Sequence, residues 1–117
     1  MAAPNIVNVA TITGKTAVQA ITTSATAIVT NSSSSNKVFK INALYVSNVD
    51  GVNNASVNVD LFRSSTAYRV ANTVTVPADA TLDVVTKPIY LEEGDSLRLT
   101  ASANGDLEAV CSYEEIS

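Results

Sequence analysis

The chain has 117 residues, of which 46% are hydrophobic and 5% aromatic, and its formal net charge is −4. This length and hydrophobic content indicate one folded domain and exclude a wholly disordered chain. The acidic balance, with seven scattered basic residues, argues against nucleic-acid binding, which needs clustered lysine and arginine.

The first 36 residues are β-prone but weakly patterned, and they are expected to form a segment distinct from residues 37–117. They lack the basic flank and apolar run of a signal peptide, so we expect synthesis and folding in a cytoplasm. Three strands are predicted, separated by Thr13-Gly14-Lys15 and Thr22-Thr23-Ser24: Ile6–Ile12, Thr16–Ile21 and Ala25–Thr30. Poor alternation leaves two interpretations, an arm that pairs with a neighbouring subunit or ordinary edge strands.

The middle of the chain has clear strand patterns between polar turns. Lys37–Asn48 is apolar on both faces, which predicts a central position or a second buried interface. No stretch reaches the roughly 20 apolar residues of a membrane span, so no membrane partner is expected. Further strands are predicted after the polar loops 31–36 and 48–54: Val57–Phe62, Ala67–Val76, Thr81–Val85 and a short edge strand, Lys87–Leu91.

The last part of the chain repeats the alternation most regularly. Leu97–Ser102 and Leu107–Tyr113 each place apolar residues on one face, and the Asn104-Gly105 connection predicts a β-hairpin between them. Gly94 is expected to take a positive φ in the turn before this pair. The sum is an all-β protein, a single β-sandwich or jelly-roll-like domain of about eight to ten short, mainly antiparallel strands.

Chemically reactive groups are few. The sequence has no histidine, which removes the commonest general base and metal ligand, so we expect no enzyme, no catalytic residue and no cofactor. Cys111, the single cysteine, is expected to be a small buried hydrophobe. The acidic groups are expected to be solvated turns rather than a calcium site: Glu92, Glu93 and Asp95; Asp79 and Asp83; Glu114 and Glu115.

Exposed aromatic rings would favour a carbohydrate-binding surface, because sugar faces stack on them. The aromatic residues are Phe39, Tyr45, Phe62, Tyr68, Tyr90 and Tyr113. Tyr68 and Tyr90 are the candidates for such a surface. In a chain with so few rings, however, we expect large aromatic residues to belong to the core.

Four segments of this chain resemble small virion structural proteins of tailed bacteriophages, of the variety found in phages of marine cyanobacteria. The resemblance covers about residues 37–117 and is carried by turn and core residues in Ile41–Asn48, Val76–Leu82, Lys87–Leu99 and Ser112–Ile116. It implies a β-sandwich in a virion setting. The pattern has glycine where this chain has Asp79, so the backbone of that turn is an open question.

The resemblance implies a non-enzymatic particle component, and we expect a capsid decoration (cement) protein that binds the head lattice. The expected partners are further copies of the chain, as a trimer or another symmetric oligomer, and the major capsid protein or other virion proteins. A neck, tail or baseplate component is the alternative in the same setting, and a receptor- or glycan-binding module on a fibre is the alternative of a different class. The candidate contact surfaces are loops 31–36 and 48–54 and the N-terminal segment.

Overall fold

The computed structural model describes Asn5 and residues 8–117, and over these residues the chain forms nine strands and no helix. The strands, in chain order, are β1 (Ile12–Ala20), β2 (Thr26–Thr30), β3 (Val38–Asn48), β4 (Ala55–Arg63), β5 (Thr66–Val76), β6 (Thr81–Asp83), β7 (Ile89–Leu91), β8 (Ser96–Ala101) and β9 (Leu107–Ile116). The predicted all-β sandwich is therefore confirmed. Ile6 and Val7, the start of the first predicted strand, lie outside the described residues.

The strands form two antiparallel sheets with a jelly-roll order. The first sheet has the order β1-β9-β3-β6, with β7 also paired to β3, and the second has the order β2-β8-β4-β5. The chain crosses from one sheet to the other after each of the first three strands. Such double-sheet alternation is the jelly-roll way of covering two apolar faces with each other.

The core lies between the sheets and consists mainly of aliphatic side chains. Its largest members are almost fully buried: Ile21, Ile41, Leu44, Leu91, Leu97, Leu99 and Leu107. Phe39 is the single aromatic residue of the buried cluster, and its ring lies 5.6 Å from that of half-buried Tyr113. Burial contributes roughly 25 cal/mol per Å² of apolar surface, so the stabilisation of this core comes from many aliphatic side chains rather than from a few large rings.

The two apolar faces of β3 are explained by a β-bulge. The pairing of β3 with β9 shifts register between Ile41 and Ala43, so that Asn42 is an extra residue. Phe39 and Ile41 face the core before the bulge and Leu44 and Val46 face it afterwards, because one inserted residue reverses the alternation. The predicted central position is confirmed, since β9 pairs on one side of β3 and β6 and β7 pair on the other.

The predicted hairpin between Leu97–Ser102 and Leu107–Tyr113 is wrong. Strand β8 belongs to the second sheet and β9 to the first, so the connection arches across the core. Gly105 has a positive φ of 86° within this arch. The alternation correctly identified the buried faces, but two strands that face each other across a core have the same pattern as two neighbours in one sheet.

The predicted break at Thr13-Gly14-Lys15 is also wrong, because β1 runs through it. All nine residues of β1 pair one-to-one with β9, including Gly14 with Glu114. Strands β1 and β2 pair with β9 and β8 of the same chain and lie at sheet edges.

Several turns require left-handed backbone. Ser64 and Ser65 have φ values of 52° and 60°, which form the two-residue turn between β4 and β5. Asp79 has a φ of 59°, so it adopts the region that glycine favours and the open question about this turn is answered. Gly94 has a φ of 90°, which confirms the prediction.

Replacement of Gly94 by alanine should lower the free energy of unfolding by about 1 kcal/mol, because a side chain at this φ strains the backbone. Space is not the reason, since a Cβ would lie 3.6 Å from the Ser33 Oγ. Urea unfolding measures the change. Gly94→Asn should lose less than Gly94→Ala, because asparagine tolerates left-handed backbone better; equal losses would contradict the backbone explanation.

Candidate interaction surfaces

Loop 31–36 and the turn 92–95 form one structure at one end of the sandwich. The buried Asn31 side chain donates from Nδ2 to the Lys37 and Leu91 carbonyls, both at 2.9 Å, and its Oδ1 accepts from the Ser35 Oγ at 2.5 Å. The Gly94 amide donates to the Asn31 carbonyl at 2.8 Å. The loop is therefore built around a satisfied buried amide, and its serines 32–34 are exposed.

An ion-pair network connects this end to the second sheet. Arg63, on β4, donates from Nε and Nη2 to the two Asp95 carboxylate oxygens at 2.8 and 2.6 Å, and from Nη2 to Glu92 Oε2 at 2.8 Å. The Asp95 side chain is only 2% exposed. Burial acts to raise the pKa of Asp95, but the hydrogen bonds from Arg63 and the Glu92 amide outweigh it and hold the pKa below its ordinary value.

Loop 48–54 lies at the opposite end of β3 and has the same design. The buried Asn48 side chain donates to the Asn53 and Val76 carbonyls, both at 2.9 Å, and its Oδ1 accepts from the Asp50 amide at 2.9 Å. Hydrogen bonds, the first of them from the Val52 amide, hold the pKa of Asp50 below its ordinary value. Val52 is 84% exposed, so this loop presents an apolar side chain on a rigid frame.

The other carboxylates are separate and mostly engaged. Asp83 accepts from the Val85 amide at 3.2 Å. Glu115 is paired with Lys15 at 2.9 Å and with Lys37 at 3.1 Å, and these contacts lower its pKa. Within the described part of the chain no three of Cys, Asp and Glu come together as ligands for a metal ion.

Cys111 is fully buried on the inner face of β9, and burial raises the pKa of its thiol to about 11. The thiolate is the reactive form. We therefore expect Cys111 in the folded protein to react with a maleimide much more slowly than in urea. A rate within about tenfold of the unfolded rate would show that the sandwich opens readily.

The expectation that the large aromatic residues are core is wrong for three tyrosines. Tyr45, Tyr68 and Tyr90 are 44%, 56% and 43% exposed. Tyr68 lies on β5, an edge of the second sheet, and the other two lie on the outer face of the first sheet. The rings thus occupy two sheets and do not form one cluster.

On the outer face of the second sheet, the charged side chains pair with neighbouring groups of the same sheet. Arg69 donates to Asp60 at 2.7 Å, and the guanidinium of Arg98 lies 4.0 Å from the centre of the Phe62 ring. Asn58 accepts from the Thr73 amide at 2.6 Å. Such internal pairing is typical of a solvated face.

The outer face of the first sheet differs because an uncharged stripe runs over three of its strands and ends at Asp83 on β6. Val18, Val110 and Tyr45 are successive cross-strand neighbours on β1, β9 and β3. Their exposed fractions are 75%, 41% and 44%. Sequence reasoning missed this stripe, because its members come together through strand order and not through sequence spacing. The sequence offered one indication of the stripe: Val110 is an apolar residue among the outward-facing polar positions of β9, between Glu108 and Ser112.

Comparisons with known proteins support the fold. No family model and no curated protein matches the chain. A solved structure described as "Bacillus endospore appendages form a novel family of disulfide-linked pili" is similar with a TM-score of 0.54 and 13% identity, over 92% of this chain and 88% of that chain. The nucleoplasmin-like N-terminal domain of Drosophila FKBP39 gives a TM-score of 0.43 and 16% identity, over 87% and 85%. At these identities the pilus structure shows a common fold only.

In the residues described, no helix has the length and apolar character needed to cross a membrane.

Proposed function

We propose that the chain is a non-enzymatic structural subunit of a bacteriophage particle, a capsid decoration protein that binds the head lattice as a symmetric oligomer such as a trimer. The observation that carries the proposal is the contrast between the two outer faces. The second sheet neutralises its own charges, whereas the first exposes the stripe of Val18, Val110 and Tyr45. An uncharged stripe between polar residues suits contact with another protein.

The rigid ends of the sandwich support the same function. Asn31 and Asn48 hold the two candidate loops in fixed shapes, so contacts made by these loops need little ordering on binding. Many copies on a lattice bind through repeated weak contacts, and no single tight site is needed. The virion setting comes from the resemblance proposed in the sequence analysis, and in that setting the expected partner is the major capsid protein.

Cryo-electron microscopy of the intact particle of the phage that encodes this chain tests the proposal. Density of this jelly roll at regular positions on the head lattice is the expected result. Density confined to the neck, tail or baseplate would replace the decoration role with the structural alternative in the same particle. Absence from the particle would overturn both.

Exposed tyrosines favour one second candidate, a receptor- or glycan-binding module. Tyr68 and Tyr90 present rings on which sugars stack. A glycan screen with the native chain and with Tyr68→Ser and Tyr90→Ser decides between the two functions. Binding that either substitution abolishes would support the module, and no binding to any glycan would remove it.

A further inference from the structure

Strand β1 is an unusual edge, because nothing in its geometry prevents it from pairing with another strand. The other edges are short or irregular: β6 and β7 have three residues each, β2 has five with a register shift, and β5 has two register shifts. Short and bulged edges are ways in which proteins avoid edge-to-edge association. β1 instead has nine consecutive residues in unbroken register with β9.

The free backbone groups of β1 can be assigned from its register. Thr11 and Ser117 exchange two hydrogen bonds of 2.9 Å, and the Ile21 amide donates to the Leu107 carbonyl at 2.9 Å. In an antiparallel pair, hydrogen-bonded positions alternate. Odd-numbered residues of β1 therefore point their N–H and C=O groups to β9, and even-numbered residues point theirs outward. Between residues 8 and 117, no hydrogen bond reaches these outward groups of β1.

We propose that β1 pairs antiparallel with β1 of a second copy, about a two-fold axis at Thr16. In this register, Val18 of one copy faces Gly14 of the other, Ile12 faces Ala20, and Thr16 faces Thr16. Large side chains thus oppose small ones on the outer face. All these positions are even-numbered, so each pair can exchange two backbone hydrogen bonds without disturbing β9. The two first sheets become one continuous sheet.

The electrostatics of β1 permit this pairing. Lys15 is the only charged residue of the strand, and its Nζ lies 2.9 Å from Glu115 Oε2. In the proposed register Lys15 faces Ala17 of the second copy, and the two lysines are diagonal neighbours about 7–8 Å apart. Because each lysine has its own carboxylate partner, the diagonal contact is not a repulsion between unpaired charges.

The exposed apolar side chains of β1 give the pairing its driving force. Val18 is 75% exposed and Ile12 is 56% exposed in the single chain. Backbone pairing brings Val18 against the neighbouring strand and covers part of this surface, which hydrophobic burial favours. The inference rests on the self-association in the proposed function and specifies its symmetry, a dimer in place of a trimer.

A cysteine placed at the two-fold axis tests the register. Antiparallel partners have Cα atoms about 5.5 Å apart, within the range of a disulfide. With mild oxidation by oxidised glutathione, Thr16→Cys should therefore convert most of the chain to a covalent dimer, and buried Cys111 should not contribute. Ile12→Cys is the matched control, because its two copies would lie about 27 Å apart and should remain uncrosslinked.

Proline substitution tests the same edge without cysteine. Thr16→Pro removes only an outward N–H, so it should weaken dimer formation about tenfold or more while the urea midpoint of the dissociated chain changes little. Ala17→Pro removes an N–H that points to β9 and should destabilise the chain itself.

Sedimentation equilibrium across dilution gives the mass. A native mass of twice 12.2 kDa, together with a mass of 12.2 kDa for Thr16→Pro, would support the pairing. A trimer without the Thr16→Cys disulfide would overturn the pairing and leave the proposed function standing. A monomer at all concentrations would overturn the pairing and the proposed oligomer together, while particle location would still test capsid binding.

Discussion

Replacing Asn31 by alanine should lower the free energy of unfolding by about 3 kcal/mol. The side chain is fully buried and makes three hydrogen bonds, to the Lys37 carbonyl, the Leu91 carbonyl and the Ser35 hydroxyl. Alanine leaves these groups without a partner in a site that water enters poorly. Urea unfolding monitored by circular dichroism measures the loss.

The control for Asn31→Ala is Asn104→Ala, which removes one exposed hydrogen bond to the Thr23 amide and should cost less than about 1 kcal/mol. Asn31→Asp is a sharper probe. A carboxylate would face two carbonyl oxygens, so its pKa in the folded state would rise, and stability should increase as the pH falls from 7 to 4. Similar losses for Asn31→Ala and Asn104→Ala would show that loop 31–36 is not held by its buried amide.

Replacing Arg63 by methionine should lower the free energy of unfolding by about 2 kcal/mol at pH 7. The reason is the Asp95 carboxylate, which stays almost completely buried and loses both guanidinium hydrogen bonds. The expected loss of stability is smaller than for a fully buried ion pair because the Arg63 side chain is 41% exposed. Lys87→Met removes the same charge from an exposed position and is the matched control.

The pH dependence of Arg63→Met follows from Asp95. In the native chain the pKa of Asp95 is held below its ordinary value, so the stabilisation is present above about pH 4 and is lost as the pH falls through the folded-state pKa. Without Arg63, burial raises that pKa, and protonation of Asp95 relieves the unpaired charge. The difference between the two proteins should therefore shrink from pH 7 to pH 3. A constant difference, or one equal to that of Lys87→Met, would contradict the assignment.

Much of the fold could be predicted from the sequence by local physical rules. Period-two alternation located β3, β4, β5, β8 and β9, and the positive φ of Gly94 followed from its turn. The same rules failed where the outcome depends on partners. The bulge at Asn42 and the arch at residues 102–106 are decided by which strand packs opposite, and alternation contains no such information.

The candidate surfaces, like the fold, could be predicted where they depend on local sequence and not where they depend on distant partners. Polar composition identified loops 31–36 and 48–54, but their organisation around Asn31 and Asn48 depends on carbonyls up to 60 residues away. The stripe of Val18, Val110 and Tyr45 requires the register of three strands that are distant in sequence. Whether the loops or the stripe contact a capsid stays a prediction for the particle experiment.

The position of β9 between β1 and β3 has a consequence for biosynthesis. Strand β9 is the last strand of the fold and pairs with both β1 and β3. During synthesis the first sheet therefore cannot form until residues 107–116 have been made. Such distant pairings slow folding, and a chain with its final strand still in the exit tunnel exposes strand edges that favour aggregation. Chaperone dependence during synthesis, and stronger dependence when translation is slowed before Leu107, are the expected signs of this topology.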